Sequence, residues 1–218
     1  STALVAGAFG SALQNTNVRQ SGNITLGAGG LKVNTLTMAG AVALTFAEST
    51  DVLSLTAGGI LTGLDSSAKS IGTAAVRGQI TTAAGVSELF IHEGANILTI
   101  NSVITDNGAP LNVIFDAMSQ ISNNPTVTLT GANTYTGTTF VNGLILNLNS
   151  SSGPAIAGDL VITGGNNNGA DASPIGNSTV TLQQSNQIAT TSAVTINGGA
   201  QLNLNGFSNT IASLAFTN

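Results

Sequence analysis

The chain holds one histidine, nine acids, four bases and no cysteine, and those counts bound the chemistry its side chains can do. His92 lies in Glu88-Leu-Phe-Ile-His-Glu93, where period-two alternation puts Glu88, Phe90 and His92 on one face of a strand. Proton transfer or metal binding at a histidine needs a second group within reach, and Glu88 stands two steps of about 7 Å away along that face. His92 is therefore read as solvated or stacked on the neighbouring turn of chain, without a catalytic or metal partner. Sugar-cleaving β-helices need paired carboxylates, or acids gathered around calcium with a base nearby. Here Glu48, Asp51, Asp65, Glu88, Glu93, Asp106, Asp116, Asp159 and Asp171 show no adjacent pair and no recurring spacing. Acids distant in sequence can converge across neighbouring turns, so a polysaccharide-binding or polysaccharide-degrading β-helix is carried as the alternative reading. No catalytic, cofactor-binding or metal residue is expected, and no cofactor.

Composition narrows the partners. Charged residues make up 6% of the chain while hydrophobic residues reach 42%, so the surface must be Thr, Ser, Asn and Gly. A net charge of -5 from thinly spread groups offers no electropositive footprint, which excludes nucleic acid and acidic lipid as expected partners. The absence of cysteine removes disulfides, thiolate metal sites and thiol catalysis and suits a secreted bacterial product. Thr, Ser, Asn or Gly interrupts every apolar run before the roughly 20 residues needed to span a bilayer, so no membrane insertion by this chain is expected. The first residue is Ser1, as in a processed mature form or a piece of something longer.

The elements that would position any site are short strands. Val127-Thr-Leu-Thr-Gly-Ala-Asn-Thr-Tyr-Thr-Gly-Thr-Thr-Phe-Val-Asn-Gly-Leu-Ile-Leu-Asn-Leu148 reads as roughly one rung of a β-solenoid, with Val127, Leu129, Leu144, Leu146 and Leu148 on one side of their strands. Strands are expected at 23–26, 31–38, 42–46, 52–56, 60–64, 79–82, 88–92, 97–104 and 111–115. Eight more are expected at 126–130, 138–142, 144–148, 159–163, 178–183, 193–197, 201–205 and 210–216. No helical period connects them, so the class is all-β. A sandwich could use the same strands. Self-similarity decides against it, since Val127-Thr-Leu-Thr130, Leu160-Val-Ile-Thr163, Val180-Thr-Leu-Gln183, Val194-Thr-Ile-Asn197 and Leu202-Asn-Leu-Asn205 are variants of one strand. About ten rungs at about 4.8 Å each make a rod of order 50 Å. The inward set is expected to include Leu129, Leu144, Leu146, Leu148, Val194, Ile196, Leu202 and Leu204. Thr163-Gly-Gly-Asn-Asn-Asn-Gly169 reads as a loop protruding from the rod, and stacked Asn and Thr are expected to form hydrogen-bond ladders.

Leu129-Thr-Gly-Ala-Asn-Thr-Tyr-Thr-Gly137, with Thr138-Thr139 and Val141-Asn142-Gly143 after it, resembles the passenger-associated transport repeat of bacterial autotransporters, also called the autotransporter-associated β-strand repeat. Ile97 to Gly108 is similar to the segment on the N-terminal side of that repeat. Ser192 to Phe207, with Thr210-Ile-Ala-Ser-Leu214, is similar to the segment on its C-terminal side. The resemblance spans about residues 23 to 218. It implies a single right-handed parallel β-helix over 1–218, with 1–22 as an N-terminal cap or linker and 23–218 as rungs. It also implies display outside the cell or at the bacterial surface, in an adhesive or structural role. Gly131, Asn133, Tyr135, Gly137, Asn142 and Gly143 are then structural residues of the repeat.

A solenoid must cover its terminal strands. Thr210-Ile-Ala-Ser-Leu-Ala-Phe-Thr-Asn218 is apolar, β-prone and uncharged, so it is not a cap. Thr210, Ile211, Ala212, Leu214 and Phe216 are the candidate self-association residues, covered by the continuation of a longer passenger or by another copy in a filament. Surface carbohydrate and host or biofilm matrix are the other partners that this reading allows.

Overall fold

A computed structural model describes residues 13–94, 97–117, 125–164 and 178–217. The described chain contains strands and no helix. In order they are β1 (Leu13–Gln20), β2 (Ile24–Leu26), β3 (Leu31–Met38), β4 (Val42–Phe46), β5 (Val52–Thr62), β6 (Lys69–Ile71), β7 (Gln79–Thr82), β8 (Glu88–Glu93), β9 (Ile97–Ile100) and β10 (Val103–Ile104). They continue as β11 (Asn112–Ala117), β12 (Thr126–Leu129), β13 (Thr139–Asn142), β14 (Ile145–Leu148), β15 (Leu160–Thr163), β16 (Thr179–Leu182), β17 (Ala193–Asn197), β18 (Gln201–Asn203) and β19 (Ser213–Thr217).

Each strand pairs in parallel with the strand one turn of chain away, never with its sequence neighbour. One sheet runs β1-β3-β5-β8-β11-β13-β15-β17-β19, with β7 and β10 branching from it; the other runs β2-β4-β6-β9-β12-β14-β16-β18. This is a parallel β-helix. The branch marks a third side, because β5 pairs with β7 over Val52–Leu55 and with β8 over Gly59–Leu61. Gly58 makes the bend between those halves at φ +69, where a Cβ would sit 2.2 Å from the Glu88 carbonyl oxygen. The stretch from Val127 to Leu148 is one complete rung: Val127 returns opposite Leu146, and Leu129 opposite Leu148.

The core is a set of columns that run through successive rungs. Val42, Leu98, Val127, Leu146 and Val180 share one column with Lys69 inside it, and Leu44, Ile71, Ile100, Leu129, Leu148 and Leu182 form the next. Across from them stand Leu36, Ile60, Ile91, Phe115, Val141, Ile162 and Ile196. Most of these side chains are fully buried, and each aliphatic one contributes about 1.5–3 kcal/mol of transfer free energy. The expected hydrogen-bond ladders are present on the outside: Thr25 to Thr45 at 2.8 Å, Thr56 to Asn34 at 3.0 Å, and Thr130 to Asn101 at 2.7 Å.

Several expectations are corrected. Leu204 is 47% exposed and Leu202 only partly buried, because β18 is the last strand of its sheet and no rung lies above it. The segments 52–56 and 60–64 are one bent strand, whereas 97–104 is two strands separated at the Asn101-Ser102 corner. The terminal strand begins at Ser213 instead of Thr210. Two strands were not expected: β1, inside the region read as cap or linker, and β6, whose inward Lys69 breaks the apolar alternation. The loop at 163–169 falls largely outside the described residues.

Candidate functional site

The repeat residues make the corner between β12 and β13. Gly131 and Gly137 are small because the previous rung touches them: a Cβ at either would stand 2.3 Å from the carbonyl oxygen of Ser102 or Leu111. Asn133 is buried and bridges three rungs. Its Oδ1 accepts from the Ile104 amide at 2.8 Å, and its Nδ2 donates to the Ala155 carbonyl at 2.7 Å. Tyr135 lies wholly in the core, its hydroxyl 2.5 Å from Thr139 Oγ1, and burial pushes the phenol up above its ordinary pKa. Asn142 faces outward between Asp116 and Thr163, and Gly143 turns the chain at φ +73.

At β19 two core columns reach the surface. Leu214 stands on Val194 and Phe216 on Ile196, so both continue inward columns, yet they are 48% and 73% exposed. Together with Leu202, Leu204 and Ile211 they line a recess of about 420 Å³. Ile211 packs on the core, while Thr210 and Ala212 are exposed; the Ala212 amide is already bonded to Ser192 O at 2.9 Å. Of the sequence-predicted residues, Ile211, Leu214 and Phe216 come together in this recess with Leu202 and Leu204, and Thr210 and Ala212 do not line it. At the other end Val18, Ile24 and Leu26 are buried.

Sequence reading missed a second feature, on the outer face of the first sheet. Gly59, Phe90, Ile114, Phe140 and Val161 succeed one another in register as one outward row, half-buried at the surface. Beside it run Leu61, His92, Asp116, Asn142 and Thr163. His92 Nδ1 lies 3.4 Å from Asp116 Oδ2, and its ring is parallel to that of Phe90, with centroids 5.9 Å apart. Where the row reaches Gly59 the missing side chain leaves a groove of about 320 Å³ between Thr35, Thr37, Leu61, Phe90 and His92. The dyad's neighbours in its row, Leu61 and Asn142, are not nucleophiles.

Asp51, Asp65, Asp106 and Asp159 have structural work. Asp51 accepts from the Gly29 and Glu48 amides, Asp106 from those of Leu111 and Thr136, and Asp159 from that of Ala193. Lys69 is fully buried and binds Asp65 at 3.0 Å and Ser67 O at 2.8 Å. Burial works to raise the Asp65 pKa, but the Gly40 amide, Lys69 and the Ser67 amide outweigh it and hold the carboxyl well below the usual range. Among the described residues no three His, Asp or Glu side chains gather as a metal-holding group, and no helix is long and apolar enough to cross a membrane. No family model, no curated protein and no solved structure matches the chain.

Proposed function

We propose that the protein is a non-enzymatic β-helical rod working outside the cell or at a bacterial surface, structural or adhesive in role, whose strand β19 is covered by a further rung, from the continuation of a longer passenger or from a second copy in a filament. The observation that carries this is the apolar face of β19, whose Leu214 and Phe216 continue inward columns. Leu214 and Phe216 are 48% and 73% exposed, and a parallel edge with an apolar floor accepts one more rung. In a filament a second copy supplies that rung in a head-to-tail contact. Such head-to-tail contacts repeat without closing. Use of Asp51, Asp65, Asp106 and Asp159 to hold turn amides supports the non-enzymatic reading, and the Gly131-to-Gly137 resemblance to autotransporter passengers supports export and display.

Negative-stain microscopy of native material, with sedimentation across a concentration series, tests the reading. Continuous fibres several rod lengths long are expected. Monodisperse single rods whose C-terminal edge exchanges amide hydrogens freely would remove the filament. A longer native chain that continues past Asn218 and protects this edge would replace the second copy with further rungs of a passenger.

A further inference from the structure

We propose that the outer face of the first sheet is a docking track for one extended chain of an uncharged β-1,4-linked glycan, lying along the rod axis. This deepens the adhesive reading and rests on it. The track is a pair of adjacent outward rows: Phe90, Ile114, Phe140 and Val161 give an apolar ledge, and His92, Asp116, Asn142 and Thr163 give hydrogen-bonding groups to one side. A pyranose has the matching division, with C–H groups on its ring faces and hydroxyls around its rim. The apolar ledge receives the first, and paired polar side chains the second.

Spacing selects the linkage. Rungs repeat at about 4.8 Å, so Phe90 and Phe140, two rungs apart, stand about 10 Å from each other. That is one disaccharide repeat of an extended β-1,4 chain, in which alternate sugars present the same face. From Gly59 to Val161 the row extends over about 19 Å, room for about four sugars. The groove of about 320 Å³ at Gly59 falls at the lower end of small-ligand clefts, which suits a single sugar unit beyond Phe90.

Charge selects against acidic glycans. Over the four rungs from Phe90 to Val161 the one basic group is His92, already facing Asp116, while Glu88 opens β8 and Asp159 immediately precedes β15; Arg19 stands in the same outward row as His92, beyond Leu61 and Thr37 at the groove end. A polyanion laid along those four rungs would meet net negative charge. Cellulose and chitin share the neutral β-1,4 chemistry and differ in the N-acetyl group, so both belong in the test.

The measurement is retention of the intact chain on cellulose, chitin and collagen-coated beads, with titration of cellohexaose and chitohexaose and with polygalacturonate as the acidic comparison. Phe90→Ala and Phe140→Ala face outward and leave the core columns in place; each should weaken hexasaccharide binding about tenfold. Ile114→Thr gives an independent reading if either of those variants fails to fold. Thr128→Lys, on the outer face of the other sheet, should change nothing. Preference for cellohexaose or for chitohexaose identifies the source. Glycan binding that survives all the row variants, falls equally in Thr128→Lys, or is stronger for polygalacturonate overturns the track. Retention on collagen beads alone overturns the track and keeps the adhesive reading. Retention on no surface overturns both.

Discussion

Lys69 shows how one residue departs from the pattern around it. It points inward in a column whose other members are Val42, Leu98, Val127, Leu146 and Val180, and its charge is tolerated because Asp65 and the Ser67 carbonyl meet it. Removing Asp65 leaves that charge buried and unmatched. Asp65→Ala is expected to destabilise the fold by about 2–3 kcal/mol, below the range for a fully buried pair because Asp65 is 35% exposed. Lys69→Met should be nearly neutral, as an apolar chain fills the same column; urea midpoints at pH 7 check both. The Asp65 pKa is depressed in the folded state, so its contribution is present above the unfolded value of about 4 and is lost as pH falls below it. Asp65→Asn should flatten the acid limb of stability against pH. A deeper loss between pH 5 and pH 2 in that variant than in the parent would show the sign to be wrong.

At the scale of the element, the rung from Val127 to Leu148 is held by contacts that alternation does not encode. Asn133 supplies partners to the Ile104 amide and the Ala155 carbonyl, in rungs on either side of its own. Asn133→Ala should orphan two buried backbone groups and cost about 2–4 kcal/mol, while Asn133→Asp keeps the acceptor and loses the donor. Gly137→Ala should cost a similar amount, since its Cβ would press on the Leu111 carbonyl. Leu146→Asp puts an unpaired carboxylate between Val127 and Val180 and should cost about 3–5 kcal/mol unless it protonates. Calorimetry of these variants ranks them; a Leu146→Asp protein that melts with the parent would refute the inward assignment.

Across the whole molecule, cohesion runs along the rod through rung-to-rung pairing. The join that we propose at β19 is backbone pairing plus burial of Leu204, Leu214 and Phe216, and charge is scarce around it. Assembly should therefore change little between low and high salt. Leu214→Lys with Phe216→Lys should abolish elongation and leave distant rungs folded. Light scattering at two ionic strengths, beside circular dichroism of the variant, measures both effects; fibres of unchanged length from the double variant would remove this end as the interface. Purified protein is expected to leave pectin, alginate, xylan and peptidoglycan uncleaved, and turnover lost on replacing any one acid would overturn the non-enzymatic reading.

Period-two alternation is local, so the sequence by itself determined that the chain is all-β, which side of the strands it marked faces the core, and that Val127 to Leu148 is one rung. The apolar, uncapped stretch after Asn209 was legible for the same reason. What only the tertiary structure decided is which rung lies on which, because register depends on residues some 20 to 35 positions apart. From register come the third side of the helix, the placement of Lys69 among aliphatic neighbours, and the row from Phe90 to Val161. His92 and Asp116 meet only because β8 and β11 are stacked in that register. Leu204 has the alternation of a core residue and is exposed, since burial requires a rung above it and alternation records only its own strand.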